Sequence, residues 1–392
     1  MQKPNVLFIS SWYPSKEHET LGNFAQRHAE SINEFVNLNV LYVTSSERIT
    51  RDFEIENGII NGVNTTIVYY KKINSTFPVI SQYLKFKKST KAFLKGLDYI
   101  EKEFGIKTFD ITHCNVTFPA GLFAYNLLKT RNIPYVITEH WTLFLPYKND
   151  FEKLNYITKY MMRKIVKSAE YILPVSEHLG NSMQKLGLKG KYKVIPNVAD
   201  TNLFQLKHKR DNNLIKILHV STLIQEHKNI NGILNVLKEL SLQRDDFQLT
   251  IVSDGEVDLA KKHQKKIGLD DKFVHYEGTK TPEEIAEFYR NSDFFLLFSN
   301  YENLPCVMVE SMSCGIPFVS SNVGGISEYV NKSNGILVEP RDEKALLEAI
   351  ISTMNSLESF DNESIREVAI SNFDNKKVGE EFLKVYLKSI KN

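Results

Sequence analysis

Cysteine is nearly absent from this chain: Cys114, Cys306 and Cys314 are the only three among 392 residues. Three thiols cannot build a disulfide framework and their spacing fits no zinc site, so they point to a reducing compartment. An excess of one charge is also missing. Lys and Arg number 49 against 47 Asp and Glu, a formal charge of +2. Nucleic-acid-binding domains are usually strongly basic, so no nucleic-acid partner is expected. No apolar stretch approaches the roughly 20 residues that span a bilayer. The first apolar run, Val6–Ile9, is too short for a signal-peptide core and is followed by Ser10, Ser11 and Pro14. The expectation is a soluble, cytoplasmic protein, at most peripheral on the inner face of the cytoplasmic membrane. Low-complexity tracts and repeats of about 20 to 50 residues are absent, which excludes solenoids and propellers. There is no Gly-x-Gly-x-x-Gly, no P-loop and no clustered His/Asp ligand set.

What is present is an ordinary globular composition, 42% hydrophobic and 24% charged, long enough for two or three domains. Short β-branched runs alternate with longer amphipathic segments. Strands are expected at Val6–Ser10, Asn39–Val43, Thr66–Tyr70, Asp110–Cys114, Tyr135–Thr138 and Tyr171–Val175. Helices are expected at Asn23–Phe35, Ser81–Leu97, Gly121–Lys129 and Leu154–Lys167. The pattern restarts with strands at Ile215–Val220, Gln248–Val252, Phe273–Tyr276, Phe294–Phe298, Pro317–Ser320 and Gly335–Val338. Its helices are Asn231–Leu242, Leu259–Ile267, Pro282–Asn291 and Lys344–Asn355. Near-continuous apolar strands interleaved with helices imply parallel sheets covered on both faces. The fold class is therefore α/β, two Rossmann-like doubly wound domains facing across a cleft. The polar, poorly periodic stretch from Asn197, with Lys207, Lys209, Arg210 and Asp211, reads as the link between them. The division is 1–200, a connection over 201–213, then 214–372, with a final helical segment over 373–392.

Ligands in open parallel sheets bind beyond the carboxyl ends of the strands. The loop after Phe294–Phe298 carries the strongest pattern, Ser299-Asn300-Tyr301-Glu302-Asn303-Leu304-Pro305-Cys306-Val307-Met308-Val309-Glu310, running on to Gly315. Pro305 suits the first turn of a helix, where its missing N–H costs nothing. Free amides over Leu304–Val307 attract phosphate. Glu302 precedes the helix and Glu310 lies about a turn and a half inside it, so one carboxylate is available to a sugar and the other to ribose hydroxyls. An isolated Glu pair of this kind is more often a dipole cap and a solvated side chain; the flanking sequence is what shifts the balance.

Glu, seven residues, Glu, then Ser-Met-Ser-Cys-Gly-Ile-Pro-Phe-Val, with Gly324-Gly325-Ile326-Ser327-Glu328-Tyr329, Asn334–Val338, Ile251–Glu256 and Ile195–Asp200, resembles glycosyltransferase family 4 and its group 1 relatives with the GT-B fold. The resemblance is dense in the second half and thinner in the first. It implies a retaining glycosyltransferase acting on a UDP- or GDP-linked sugar. Glu310 would bind ribose, Glu302 the donor sugar, and the backbone from Leu304 through Pro305 and Cys306 to Val307 the phosphate or sugar oxygens. Lys228 would neutralise the diphosphate leaving group, a role that in a water-poor site stabilises the transition state by several kcal/mol, as an order of magnitude. With Lys228 and helix amides on the diphosphate, no metal cofactor is expected. The family's partner Arg is absent; Thr222 stands in its place.

In the first half, Thr20-Leu21-Gly22-Asn23-Phe24 resembles the glycine loop over the diphosphate, or is simply a loop before a helix capped by Asn23. Thr138-Glu139-His140-Trp141 resembles the loop whose His contacts the donor sugar, and Ser176-Glu177 resembles a family strand end or a helix start. Tyr83–Lys95 carries five lysines interleaved with aromatic residues and no acid. It reads as a solvated basic face, as a contact for a phosphorylated acceptor, or as an anionic-membrane contact through Lys85–Lys95. The acceptor is expected to be a glycan or lipid-linked hydroxyl of cell-surface polysaccharide assembly. A GT-B sugar-nucleotide 2-epimerase and a non-catalytic nucleotide-sugar-binding subunit are the rival readings.

Overall fold

The computed structural model describes residues 3–73, 78–147, 149–208 and 214–390, without the side chains of 78–80. Lys209, Arg210 and Asp211 of the expected connection lie outside the described residues. The chain folds as two compact units, Met1–Val175 with Gly180–Ile195 and Asn375–Asn392, and Ser176–Leu179 with Pro196–Asp374.

The first half of the chain runs β1 (Asn5–Ser10), α1 (Asn23–Asn33), β2 (Asn37–Ser46), β3 (Phe53–Ile60), β4 (Val63–Lys71), α2 (Pro78–Glu103), β5 (Ile111–Asn115), α3 (Ala120–Arg131), β6 (Tyr135–Glu139), α4 (Asp150–Lys153), α5 (Tyr156–Ser168), β7 (Tyr171–Pro174) and α6 (Glu177–Lys185). Its seven-stranded sheet has the order β3-β4-β2-β1-β5-β6-β7. All pairings are parallel except β3 against β4. Val6, Leu7 and Phe8 are fully buried, as expected for a central parallel strand with both faces covered.

The edge strand β3 was not expected. Its residues are almost all exposed, including Ile59 at 76%, and its apolar–polar alternation runs only through Phe53-Glu54-Ile55-Glu56. Its signal is the Asn61-Gly62 turn, where both residues take positive φ, 47° and 79°. That dipeptide favours a two-residue hairpin because neither residue resists the left-handed conformation. The helix Asn362–Phe373 was likewise not expected, whereas α6 begins at Glu177, where Ser176-Glu177 was read as a strand end or a helix start.

The second half runs β8 (Ile215–Val220), α7 (Gln225–Lys228), α8 (Ile230–Ser241), β9 (Phe247–Val252), α9 (Val257–Ile267), β10 (Val274–Glu277), α10 (Pro282–Arg290), β11 (Phe294–Leu297), α11 (Cys306–Ser313), β12 (Phe318–Ser321), β13 (Gly335–Val338), α12 (Glu343–Asn355) and α13 (Asn362–Phe373). Its six strands are all parallel, in the order β10-β9-β8-β11-β12-β13. Local chemistry sets the helix ends. Thr281 and Glu284 form a reciprocal capping box around Pro282, which satisfies two first-turn amides.

The last helix, α14 (Asn375–Ile390), belongs to the first unit and packs on α1. Its Phe382 and Tyr386 are fully buried, and the Tyr386 hydroxyl lies 2.5 Å from His113 Nδ1. Gly379 makes this approach possible: a Cβ there would lie 2.0 Å from the Ser31 carbonyl oxygen and 2.6 Å from the Phe35 ring. Gly379→Ala should therefore destabilise the protein by about 1–3 kcal/mol through overpacking, read as a fall in melting temperature. An unchanged melting temperature would contradict this packing account.

Candidate functional site

Strand order picks out one place in each sheet. The second unit winds from β8 to β9 and β10 on one side, then returns to β11, β12 and β13 on the other. Segments leaving β8 and β11 come together at that reversal, the usual ligand position in such sheets, with Asn300 N donating to His227 O at 2.8 Å. Lys228, the last residue of α7, arrives there from the β8 side, and Glu302 from the β11 side. They meet: Lys228 Nζ donates to Glu302 Oε1 at 2.5 Å. Both are largely buried, 9% and 5% exposed. Ser299 Oγ donates to the same oxygen at 2.7 Å. His227 Nε2 lies 3.4 Å from it, its ring stacked on Tyr301 at 4.4 Å. Glu302 Oε2 has no partner among the described residues.

The charge state follows from this geometry. Burial pushes the Glu302 carboxyl up, but Lys228 and then His227 outweigh that and hold it well below the usual carboxylate range. Glu302 is thus a buried anion sustained by a buried cation.

Helix α11 begins at Cys306 with Pro305 as its N-cap in extended conformation. Pro305 therefore stands just before the first turn rather than inside it. Leu304 is buried, and its carbonyl accepts from Asn197 Nδ2 at 2.6 Å. A helix start exposes amide donors without intrahelical acceptors, and the buried Glu302 lies three residues before Pro305. The Gly324-Gly325 loop closes on this turn. A Cβ on Gly324 (φ +62°) would lie 2.1 Å from the Glu302 carbonyl oxygen, and Gly325 N donates to Asn303 O at 2.7 Å. Glycine is required here both by conformation and by contact. Glu310 is 5% exposed on α11 and accepts from the Tyr289 hydroxyl at 3.0 Å.

Thr222, where the family pattern led us to look for Arg, lies against Gly255, whose added Cβ would approach the Thr222 carbonyl at 1.9 Å. The structure brings a different cation to the β11 loop. Arg341 Nε donates to Asn300 Oδ1 at 3.0 Å. Sequence reasoning missed Arg341 and Tyr289, and gave Ser299 no role although it opens the pattern. Only Arg341 left a signal, as a lone cation soon after the β13 strand.

In the first unit the reversal falls between β1 and β5, and Ser11 N donates to Asn115 O at 3.1 Å. Gly22, in left-handed conformation (φ +81°), is the N-cap of α1, and Asn23 is already helical. The glycine, not Asn23, therefore occupies the cap. A Cβ there would lie 2.4 Å from the Trp12 backbone. Phe24 carries this loop to His140, ring centroids 4.3 Å apart, while Trp12 meets Trp141 at 5.4 Å. His140 Nε2 is 3.3 Å from Asn115 Nδ2. The His140 loop is anchored by the fully buried Glu139, which accepts from Thr117 N and Oγ1, His140 N and Trp141 N at 2.6–2.9 Å. Gly22 and His140 are thus brought together in one unit, and Lys228, Glu302, Leu304–Val307 and Glu310 belong to the other.

Of the basic stretch on α2, Lys88 pairs with Asp52 at 3.1 Å. Lys88, Lys91 and Lys95 gather over the Phe53 ring at 5.5–5.9 Å. Tyr83, Lys85, Phe86 and Lys87 are exposed. Among the described residues no helix is long and apolar enough to cross a membrane.

Residues 200–366 match the family Glycosyl transferases group 1, and residues 58–203 match Glycosyltransferase Family 4. The chain belongs to these glycosyltransferases and has their GT-B fold. It is 28% identical over 298 residues to an uncharacterized glycosyltransferase of Methanocaldococcus jannaschii, covering 75% of each chain. It is 24% identical over 313 residues to the alpha-monoglucosyldiacylglycerol synthase of Streptococcus pneumoniae, covering 75% of this chain and 69% of that one. Among solved structures it is similar to Anabaena HepE in complex with UDP, with a TM-score of 0.73, 16% identity, and coverage of 98% and 100%.

The buried pair makes a stability prediction. Lys228→Met leaves Glu302 unpaired and should cost on the order of 3–5 kcal/mol in urea unfolding, part of it recovered in Lys228→Met/Glu302→Gln. Because Glu302 is held below its ordinary value of 4.5, its stabilisation is complete above that pH and lost as pH falls below it. Glu302→Gln should remove that part of the acid-induced loss; an unchanged acid limb would contradict the pairing.

Proposed function

We propose that this glycosyltransferase transfers a sugar, with retention of anomeric configuration, from a UDP- or GDP-linked donor to a hydroxyl of a glycan or lipid-linked acceptor in cell-surface polysaccharide or glycolipid biosynthesis. The observation that carries it is the Lys228–Glu302 pair beside the start of α11, with Glu310 buried further along the same helix. A nucleotide sugar offers a diol at the ribose, two phosphates and a second polyol, and these groups match what the second unit provides in sequence along one loop and helix.

In this reading Glu310, with one oxygen held by Tyr289, takes the ribose hydroxyls. The backbone amides of Leu304, Cys306 and Val307 receive phosphate or sugar oxygens on either side of Pro305, which has no N–H to give. Lys228 meets the charge that grows on the leaving diphosphate, without a divalent metal. Glu302 holds Lys228 through Oε1 and offers its unpartnered Oε2 to a donor hydroxyl. Gly22 and His140 serve the donor and acceptor from the first unit. No side chain is assigned as covalent nucleophile; the departing diphosphate accepts the acceptor's proton. The Streptococcus pneumoniae relative, a glucosyldiacylglycerol synthase by name, and the UDP complex of Anabaena HepE support this choice of donor and acceptor.

The exposed start of α2, with Tyr83 and Phe86 beside Lys85 and Lys87, is assigned to an anionic membrane surface, where aromatic rings enter the headgroup layer and lysines neutralise it. Two outcomes are expected. Glu310→Ala should weaken UDP or GDP binding by about tenfold to a hundredfold, the worth of hydrogen bonds to a charged group; unchanged affinity by calorimetry would sink the donor-site assignment. Lys85→Glu/Lys87→Glu should lose cosedimentation with vesicles containing phosphatidylglycerol, and retained cosedimentation would remove α2 as the contact.

A further inference from the structure

The residues that begin β1, β2 and β4 include an unusual number of asparagines, a residue depleted in strands. Asn5 pairs with Asn37, and Asn39 with Asn64, across adjacent parallel strands. With Asn33 from the end of α1 they line a pocket of about 440 Å³, within the roughly 300–1,000 Å³ of small-molecule sites. It lies at the opposite end of the sheet from Ser10, Glu139 and His140, about 17 Å away along β1, whose six residues make five steps of ~3.3 Å.

The chemistry of this pocket is specific. Five of its eleven lining residues are asparagine and none is charged. The amides hold one another in place: Asn37 Nδ2 donates to Asn5 Oδ1 at 3.0 Å, Asn64 Nδ2 to Asn39 Oδ1 at 3.4 Å, and Asn33 Nδ2 to Gly62 O at 2.9 Å. Each asparagine keeps its other end uncommitted among the described residues. Asn5 Nδ2 and Asn39 Nδ2 remain as donors, and Asn33, Asn37 and Asn64 keep Oδ1 as acceptors. Exposed Phe104 and Ile59 add an apolar wall.

Alternating fixed donors and acceptors suit groups that both donate and accept, which is the property of a hydroxyl. Anions would meet bare carbonyl oxygens, and cations would find no carboxylate. We infer that this pocket is a second carbohydrate site, distinct from the transfer site, that binds a neutral oligosaccharide through its hydroxyls on the asparagines and its apolar ring face on Phe104. Binding there does not depend on the transfer reaction.

The test is saturation-transfer NMR and calorimetry of the full chain with neutral gluco-, galacto- and manno-configured trisaccharides. At least one is expected to bind the wild type at millimolar concentration and to bind His140→Ala equally. Asn37→Ala and Phe104→Ala, both at exposed positions, should each weaken it tenfold or more without moving the melting temperature. Absence of binding by all three trisaccharides overturns the inference. So does binding that survives both pocket substitutions, or that His140→Ala abolishes, since the sugar then sits at the transfer site. UDP affinity measured in the same samples reports separately on the donor site.

Discussion

A buried carboxylate stays ionised only when a cation or hydrogen-bond donors offset its lost hydration, and the second unit is organised around meeting that condition at Glu302. The strand order brings the β8 and β11 loops to one point. Left-handed Asn229, φ 50°, ends α7 as Lys228 turns inward. Ser299 supplies a further donor, and Gly324 leaves the room in which the Glu302 backbone turns. Loss of Lys228 or Glu302 alone strands the other's charge away from water. In the proposed function the pair is also a prepared site: Oε1 is saturated and Oε2 has no partner among the described residues, so a donor hydroxyl would find an acceptor already fixed in place.

The first unit uses the same geometry for a different purpose. Its buried carboxyl, Glu139, has no Lys or Arg beside it among the described residues. Instead, buried Glu139 holds the amides of its own loop and of Thr117, and Trp12, Phe24, His140 and Trp141 assemble an aromatic surface. Buried His113, closed between Tyr386 and Thr138, ties α14 into this unit, and burial holds its ring well below its ordinary pKa. Tilted and edge-on aromatic rings with one imidazole among them suit neutral sugar faces better than phosphates, which fits the division of labour proposed for the two units.

Much of this was legible in the sequence because parallel strands buried on both faces write their positions as apolar runs. Ile215–Val220 and Gly335–Val338 are expected and found with identical ends. The exposed edge strand β3 left only the short alternation from Phe53 to Glu56 and its Asn61-Gly62 turn as traces. Glu302, Glu310 and Lys228 were visible through pattern and resemblance, but not that Lys228 and Glu302 bind each other: 74 residues separate them, and only the strand order closes that gap. The roles of Tyr289 and Ser299 were invisible for the same reason, since a lone Tyr in a helix or Ser after a strand is ordinary until its partner is known. The caps at Gly22 and Pro305 moved by one residue because backbone conformation, not side-chain preference, decides them.

The most direct test of the donor-site account is a crystal structure of the protein with a nucleoside diphosphate. The account predicts ribose hydroxyls on the Glu310 carboxylate and phosphate oxygens between the Lys228 ammonium and the first amides of α11. A nucleotide bound elsewhere, with the Lys228–Glu302 pair and Glu310 untouched, would contradict it.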